Sequence, residues 1–514
     1  MKYIALTVLL SFCVISKAQT LYEIEWGSEY ALRIVDHESD SEGYHYFACF
    51  ATNLDVDSTV SVVVKTDPNF LILWSNSYQV FRRDDIACIT LLEDGNLVVG
   101  GTMRQDFAFE VGSSMIKLNP DGEVIWYRVY PDSFDDRIIE IFEEDNGDLI
   151  AMVRKGVTNE PSKILVTNSE GVPQSYVELG LDGWGLGFDE AIRDGDTIYA
   201  IGDLFNSDDG GAIIHVVALT PTEILWCKRY SFGIPAQGAK ITKTPNGLAL
   251  LGTINDPESV LNGVNMVVLN TDNDGEIIWA KELFREGNGL SELATGIGYT
   301  DSQEIIFSYF LFTGGPIVSG ISGFGLDGEL FDQLGIQTEF GTIATYGTTL
   351  PEGLDLLFGN DSNGKGLVIT AANSDVCSGQ LAGLDVVDID GETLDGNATI
   401  TAIEFDSALP EMDVVPWPLN QNINCALTAS VDDNSSDLGL IIYPNPTEDL
   451  FTLKLSEEKG KVMIYDSKGS MIRELIDFRS GESIDLSEYP NGVYQVTFQG
   501  ERSIGTIKIV KTGY

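Results

Sequence analysis

The chain has 514 residues, 43% of them hydrophobic, enough for sizeable cores and, at this length, for several domains or one long β array. Its 30 Lys+Arg stand against 79 Asp+Glu, a formal net charge of -49, and such a field repels phosphate backbones and anionic membranes and argues against a nucleic-acid partner. The same charge suits either solubility or cation binding and does not choose between them.

Residues 1–18 read as a secretory signal peptide. Lys2 gives the charged start, residues 4–15 the apolar stretch, and Ser16-Lys17-Ala18 the small residues that a signal peptidase reads. That stretch is too short to span a bilayer and no later one is long enough, so no transmembrane anchor is expected. Five cysteines follow: Cys49, Cys88, Cys227, Cys377 and Cys425. The odd number leaves at least one free thiol. Cys377 and Cys425, in an irregular stretch, are the disulfide candidates. The other three fall in apolar strands, where Cys acts as a small hydrophobe.

Trp26, Trp74, Trp126, Trp226 and Trp279 are spaced by 48, 52, 100 and 53 residues; Tyr176 fills the slot inside the double step and Phe331 continues the series. A fixed period near fifty residues marks a propeller or solenoid. Each repeat opens with an apolar strand such as Val62-Val63-Val64 or Val216-Val217-Ala218. A tight turn ending in Gly follows, as in Asn119-Pro120-Asp121-Gly122 and Asp272-Asn273-Asp274-Gly275. Then come the strand with the aromatic residue, a loop, a third strand, a second turn and a fourth strand. No helical period is sustained over residues 20–370. Seven fourth strands can be followed. The first repeat lacks its own first strand, and residues 366–370 are a spare that can complete it. The expectation is an all-β chain, a seven-bladed β-propeller over 19–371 closed by the strand 366–371. Tryptophans recurring at one slot of a repeat are then packing between blades, not ligand stackers.

Several loops entering the third strand end in acid: Glu29, Asp84 and Asp85, Asp135 and Asp136, Asp189 and Glu190, and Glu292. On a propeller these would lie at one mouth of the central channel. Glu29, Asp85, Asp136, Asp189 and Glu292 are therefore candidate cation ligands, suited to Ca²⁺. The plainer reading is that they cap turns and bind local amides. Trp184 lies off the periodic slot in a Gly-rich loop (180–187) on the same face, where it either stacks on a sugar or plugs the channel. His37, His45 and His215 are the only histidines, and the first two flank one hairpin and could share a metal. The stretches 270–275 and 388–391 resemble the openings of calcium loops and read better as turns. No G-x-S-x-G, H-E-x-x-H or P-loop occurs.

Residues 372–437 are rich in Asp, Asn and Ser and carry Pro410, Pro416 and Pro418, which reads as an irregular acidic arm and linker with weak strands around 384–387 and 398–404. Residues 438–514 differ. From Leu440 onward 9 Lys/Arg nearly balance 11 Asp/Glu, and short strands alternate with turns, as in a small Ig-like β-sandwich. Tyr443-Pro444-Asn445-Pro446-Thr447 opens this segment, Gly469 ends a middle turn, Gly492 precedes Val493-Tyr494, and Lys508-Ile509-Val510-Lys511 closes it. In these motifs and their order the segment resembles the type A C-terminal sorting domain of the type IX secretion system. The resemblance implies export across the outer membrane of a Gram-negative bacterium by the type IX apparatus. It further implies removal of the tag by a sortase-like peptidase, and release or attachment at the cell surface.

For the body, regular repeats and scarce His favour a non-catalytic secreted or cell-surface module that binds a glycan, a cation or a protein. The alternative is a polysaccharide hydrolase or lyase with its site in the central pocket.

Overall fold

The computed structural model describes residues 19–27, 31–53, 58–79, 83–104, 111–131, 136–154, 161–181, 184–185, 187–206, 211–255, 264–284, 292–300, 303–311, 318–336, 342–349, 355–361, 366–371, 385–389, 392–395, 398–402, 413–416, 420–429, 441–443, 447, 449–454, 459–465, 471–490, 492–499 and 504–511. Residues 1–18, expected to be a signal peptide, lie outside this set. Among the described residues there is no helix, and none therefore long and apolar enough to cross a membrane.

The body is a series of four-stranded antiparallel sheets. Repeat 1 is Ala31–Ser39, His45–Asn53, Ser58–Thr66 and Ile72–Gln79. Repeat 2 is Arg83–Leu91, Leu97–Arg104, Val111–Leu118 and Val124–Pro131. Repeat 3 is Arg137–Glu143, Leu149–Arg154, Ser162–Thr167 and Pro173–Leu181. Repeat 4 is Gly187–Asp194, Thr197–Asn206, Gly211–Thr220 and Glu223–Ser231. Repeat 5 is Ala236–Thr244, Gly247–Asn255, Val264–Asp272 and Ile277–Phe284. Repeat 6 is Glu292–Tyr299, Glu304–Leu311, Val318–Gly325 and Leu330–Ile336. Repeat 7 takes Thr342–Thr349, Asp355–Asp361 and Gly366–Ala371, and its fourth strand is the N-terminal Gln19–Gly27.

This is a β-propeller. The last strand pair joins the two ends of the array: Trp26 pairs with Gly366 and Glu23 with Ile369. The phase of the repeat differs from the sequence reading by half a unit. The aromatic strand is the last of its sheet, not the second, because the loop after it crosses to the next sheet while hairpins keep the other three strands together.

The core lies between neighbouring sheets. Tyr46, Val63 and Tyr78 of repeat 1 pack on Ile86, Ile89 and Val99 of repeat 2. At the junction of the two ends, Trp26, Leu356 and Phe358 pack on Leu32, Ile34 and Phe47. Each sheet is thus covered on both faces, which is why its middle strands are apolar without alternation. Val62, Val63 and Val64 are all fully buried, as are Met266 to Leu269.

The arm, expected to be irregular, contributes five strands, Asp385–Asp388, Glu392–Asp395, Ala398–Ala402, Asp413–Pro416 and Asn420–Ala429. Each pairs with the outermost strand of a repeat. An exposed sheet edge offers unpaired amides and carbonyls, and that opportunity outweighs the weak strand propensity of the sequence.

The C-terminal part is a small β domain of its own. Its sheets are Ile441–Tyr443, Leu450–Lys454 and Ser483–Asp485, and Met471–Arg479, Lys459–Tyr465, Gly492–Gln499 and Ile504–Lys511. Phe451, Leu453, Ile464, Tyr494, Phe498 and Ile509 share one core.

Candidate functional site

The periodic tryptophans are hooks between repeats. Nε1 of Trp74 donates to the carbonyl of Pro120 at 3.2 Å, that of Trp126 to Ser169 at 3.0 Å, and that of Trp279 to Leu326 at 2.9 Å. Each acceptor is the second residue of the Gly turn in the next repeat. Four residues after the tryptophan a buried tyrosine reaches the Gly of the same turn: Tyr78 to Gly122 at 2.7 Å, Tyr130 to Gly171 at 2.8 Å, Tyr230 to Gly275 at 2.9 Å. The Gly is needed twice over. Gly171 has φ +72°, and a Cβ there would come within 2.9 Å of the Trp126 ring. The seam between the two ends is sealed differently. Phe70 takes the Gly position at φ 63°, the indole nitrogen of Trp26 has no partner among the described residues, and the Trp26 ring meets Phe47 edge-on at 5.0 Å.

At the same seam His37 Nε2 and His45 Nδ1 are 3.0 Å apart, one donating to the other. Phe47 lies 4.7 Å from the His37 ring and Phe70 stacks on His45 at 4.3 Å. Burial pushes both imidazoles down, His45 to about 4. The accepting nitrogen spends its lone pair on this bond, and the donating nitrogen carries the proton, so neither of these two atoms is open to a metal. His215 is fully buried against Phe188, and its ring nitrogens find no partner among the described residues. Cys49, Cys88 and Cys227 are buried and form no disulfide bond. Cys377 and the side chain of Cys425 lie outside the described residues, and with them the expected disulfide.

Of the expected acid ring, Glu29 and the side chain of Glu292 lie outside the described residues. The other three each face a base from repeat 3. Asp189 is 2.5 Å from Arg154, and Asp136 is 3.4 Å from Lys163, with both partners buried. Burial lowers Arg137, the charge of Asp85 pulls the other way, and Arg137 donates to the carbonyl of Ile86 at 3.1 Å. Burial lowers Lys163 to about 8, against the pull of Glu178. Among the described residues no group of three or more His, Cys, Asp or Glu could hold a metal ion. Trp184 pairs through its backbone with Leu181, and its side chain is outside the described set. In the calcium-like stretch 270–275, Asp272 Oδ1 accepts the amides of Asp274 and Glu276, both at 2.9 Å, so it is a turn.

A different constellation lines the innermost strands. Each of these strands has a register shift at one place, between Ile34 and Asp36, Ile86 and Cys88, Ile138 and Glu140, Phe188 and Glu190, and Gly238 and Lys240. A bulge re-aims the residue that follows it. Asp36, Glu140, Glu190 and Lys240, from four different repeats, sense one another's charge, and so converge on one axis. Lys240 Nζ is 2.8 Å from Glu190 Oε1, and Glu190 Oε2 accepts the amide of Ile241 at 2.6 Å. Asp36 Oδ2 accepts the amide of Ile89 at 2.8 Å. Burial raises the Asp36 carboxyl to about 6, and the amides of Ile89 and His37 with the charge of Lys240 only partly offset it. Burial, then the charges of Asp36, Glu190 and Glu38, raise Glu140 well above the usual carboxylate range, and burial with Asp36 raises Glu38 to about 8. Burial alone would lower Lys240, but Glu190, Asp36 and Glu140 outweigh it and hold the ammonium charged. Of these, only Glu190 stood out in the sequence. The steps of 52, 52, 50 and 50 residues through positions 36, 88, 140, 190 and 240 were the available signal.

In the C-terminal domain the closing Lys511 is nearly buried. Its Nζ donates to the carbonyls of Leu486 at 2.9 Å, Ser487 at 3.4 Å and Tyr489 at 2.7 Å, and pairs with Asp449 at 3.0 Å. Tyr494, buried, donates its hydroxyl to Pro490 O, and Gly492 begins its strand at φ 156°. Thr447 bridges to Lys511. Pro444, Asn445, Pro446, Gly469 and the side chains of Tyr443 and Lys508 lie outside the described residues. Residues 441–512 match the family of secretion system C-terminal sorting domains. The tail is a type IX sorting domain. The sorting domain directs the chain through the type IX apparatus to the surface or the outside of a Gram-negative cell. A search of curated proteins gives no match. Among solved structures, the body is similar in strand arrangement to the β-propeller domain of a trilobed protease from Pyrococcus furiosus. That pair has 10% identity, 69% of this chain and 96% of that one covered, and a TM-score of 0.39. A neuraminidase-like protein, subtype N10, of a bat influenza A virus has 11% identity, covers 69% and 99%, and has a TM-score of 0.35. Sqt1 from Chaetomium thermophilum has 9% identity, covers 69% and 100%, and has a TM-score of 0.35. No function is carried over from these likenesses.

Proposed function

We propose that the chain is an exported seven-bladed propeller acting as a non-catalytic binding module, whose sorting domain is removed by a sortase-like peptidase once it has crossed the outer membrane. The ligand site is the acid-lined axis of Asp36, Glu38, Glu140 and Glu190, and it takes the protonated amines of a glycan or protein, not a metal ion, because these carboxylates do not group closely enough to hold one. The supporting observation is that Lys240 faces the charges of Glu190, Asp36 and Glu140, while Asp36 and Glu190 are each fixed by a backbone amide. Asp36 and Glu190, each fixed by a backbone amide, favour holding charge over moving protons. A second reading has Glu140, held protonated, as acid and Asp36 as base of a secreted polysaccharide hydrolase or lyase. Calorimetric titration of the mature protein with spermine and chitosan oligomers at pH 7.5, with a reducing-sugar assay on the same glycans, tests both. Heat that Glu140→Gln and Asp36→Asn abolish supports the module; sugar release lost in those variants supports the enzyme; neither signal rejects both.

A further inference from the structure

The five arm strands are regular in a way that an incidental linker would not be. Asp385–Asp388 pairs with residues 281–284 of repeat 5, Glu392–Asp395 with 228–231 of repeat 4, and Asp413–Pro416 with 76–79 of repeat 1. In each case the stretch covered runs from two to five residues after the periodic tryptophan, Trp279, Trp226 or Trp74. In repeat 3, Ala398–Ala402 covers 177–181, from one to five residues after Tyr176. Asn420–Ala429 then pairs with the N-terminal strand of repeat 7. The arm therefore visits repeats 5, 4, 3, 1 and 7, in reverse chain order.

Its spacing matches. The residue opposite the fifth position after the aromatic is Asp385, Glu392, Ala398 and Asp413 in turn, steps of seven, six and fifteen residues, the last one crossing two repeat boundaries. Each of the first three strands pairs antiparallel with the same positions of its repeat, and residues 389–391 and 396–397 join them, so the strands run on in one direction along the rim. Residues 372–437 hold 13 Asp/Glu and no Lys or Arg, and the register sets Asp388 opposite Lys281 and Asp395 opposite Lys228. Residues 21–426 also form one compact unit, with the chain from Leu427 belonging to the other.

We infer that residues 385–426 are a rim belt of the propeller, a partner strand built into the same chain that pairs with the outer blade edges about once every seven residues and stays with the ring when the sorting domain leaves. Only the last clause rests on the processing proposed above. The belt adds main-chain hydrogen bonds at edges that would otherwise be open. It also holds the N-terminal strand from its outer side, so that strand lies between Gly366–Ala371 and Asn420–Ala429.

The test uses residues 19–514, sorting domain included, with Val387→Pro, Leu394→Pro, Ile400→Pro and Val415→Pro combined, beside the matching four alanine substitutions. Proline removes the amide and cannot continue the pairing. The expected result is a fall of about 5 °C or more in the propeller's thermal midpoint for the proline set beyond that of the alanine set, with an unchanged sorting-domain transition. Native proteolysis is expected to cut the proline variant within 385–416 and spare the wild type there. Equal midpoints for the two sets, or ready cleavage of the wild type in this stretch, overturn the belt. Mass spectrometry of the protein recovered from the cell surface reads the retention clause separately. A mature C-terminus at or beyond Ala426 supports it, and one before Ala426 overturns it.

Discussion

The indole of Trp126 donates to the carbonyl of Ser169, 3.0 Å away in the next repeat, and the hydroxyl of Tyr130 donates to Gly171 two residues on. One strand thus holds its neighbour's turn at two points. The same pair of contacts, at the same offsets, joins Trp74 and Tyr78 to Pro120 and Gly122. The fifty-residue period is therefore the period of a contact between sheets as much as of the sheets themselves.

Replacing Tyr230 by Phe should cost about 1–3 kcal/mol, because the Gly275 carbonyl is left buried without its 2.9 Å donor while the ring volume is kept. Urea denaturation of the propeller reads this directly. An unchanged midpoint would mean that water replaces the hydroxyl.

Two glycines separate backbone strain from contact. Gly195, at φ +59°, has open space around the position of a Cβ, whereas at Gly171 a Cβ meets the Trp126 ring at 2.9 Å. Gly195→Ala should cost about 1 kcal/mol for the left-handed backbone alone, and Gly171→Ala clearly more. Paired denaturation curves check the order, and equal costs would show that the hook is soft.

Burial pushes His215 down to about 3. A depressed imidazole contributes stability that is present above the unfolded value near 6.5 and is lost as pH falls, because the unfolded chain takes the proton first. His215→Leu should remove that loss, making the variant about 2 kcal/mol more stable relative to wild type at pH 5 than at pH 8. Midpoints at the two pH values give the answer.

Glu140 runs the other way. Its raised carboxyl favours the folded state below the unfolded value and loses that advantage as pH rises through the folded one. Glu140→Gln should therefore hold its stability between pH 5 and 8.5 where the wild type declines. A parallel decline in both proteins would place the strain elsewhere on the axis.

Lys511→Met keeps the stem and removes the ammonium held by three carbonyls and Asp449. The sorting domain should lose about 2–4 kcal/mol, and the protein should accumulate inside the outer membrane. Calorimetry of the full chain and fractionation of the cells measure the two effects. Normal surface delivery at lowered stability would show that the apparatus reads the strand without needing the lock.

Much of this was legible in the chain itself. Trp26, Trp74, Trp126, Trp226 and Trp279 carry the repeat, because a contact that recurs once per sheet must recur once per sequence period. The turns ending at Gly122, Gly171 and Gly275 were readable for the same local reason, a positive φ that favours glycine. Tyr443 to Lys511 carried the export signal. What the sequence left open is whatever depends on distant partners. The phase of the repeat is decided by which loop crosses between sheets. The acids expected at the mouth turn out to face Arg137, Arg154 and Lys163 of one repeat, while Asp36, Glu140 and Lys240 meet only because bulges some fifty residues apart aim them at one axis. The acidic arm looked irregular because its strands find their hydrogen bonds not in one another but on the rims of sheets completed long before it in the chain. Local pattern fixes which strands form, and only closure of the array supplies the edges and the axis where the remaining groups find their partners.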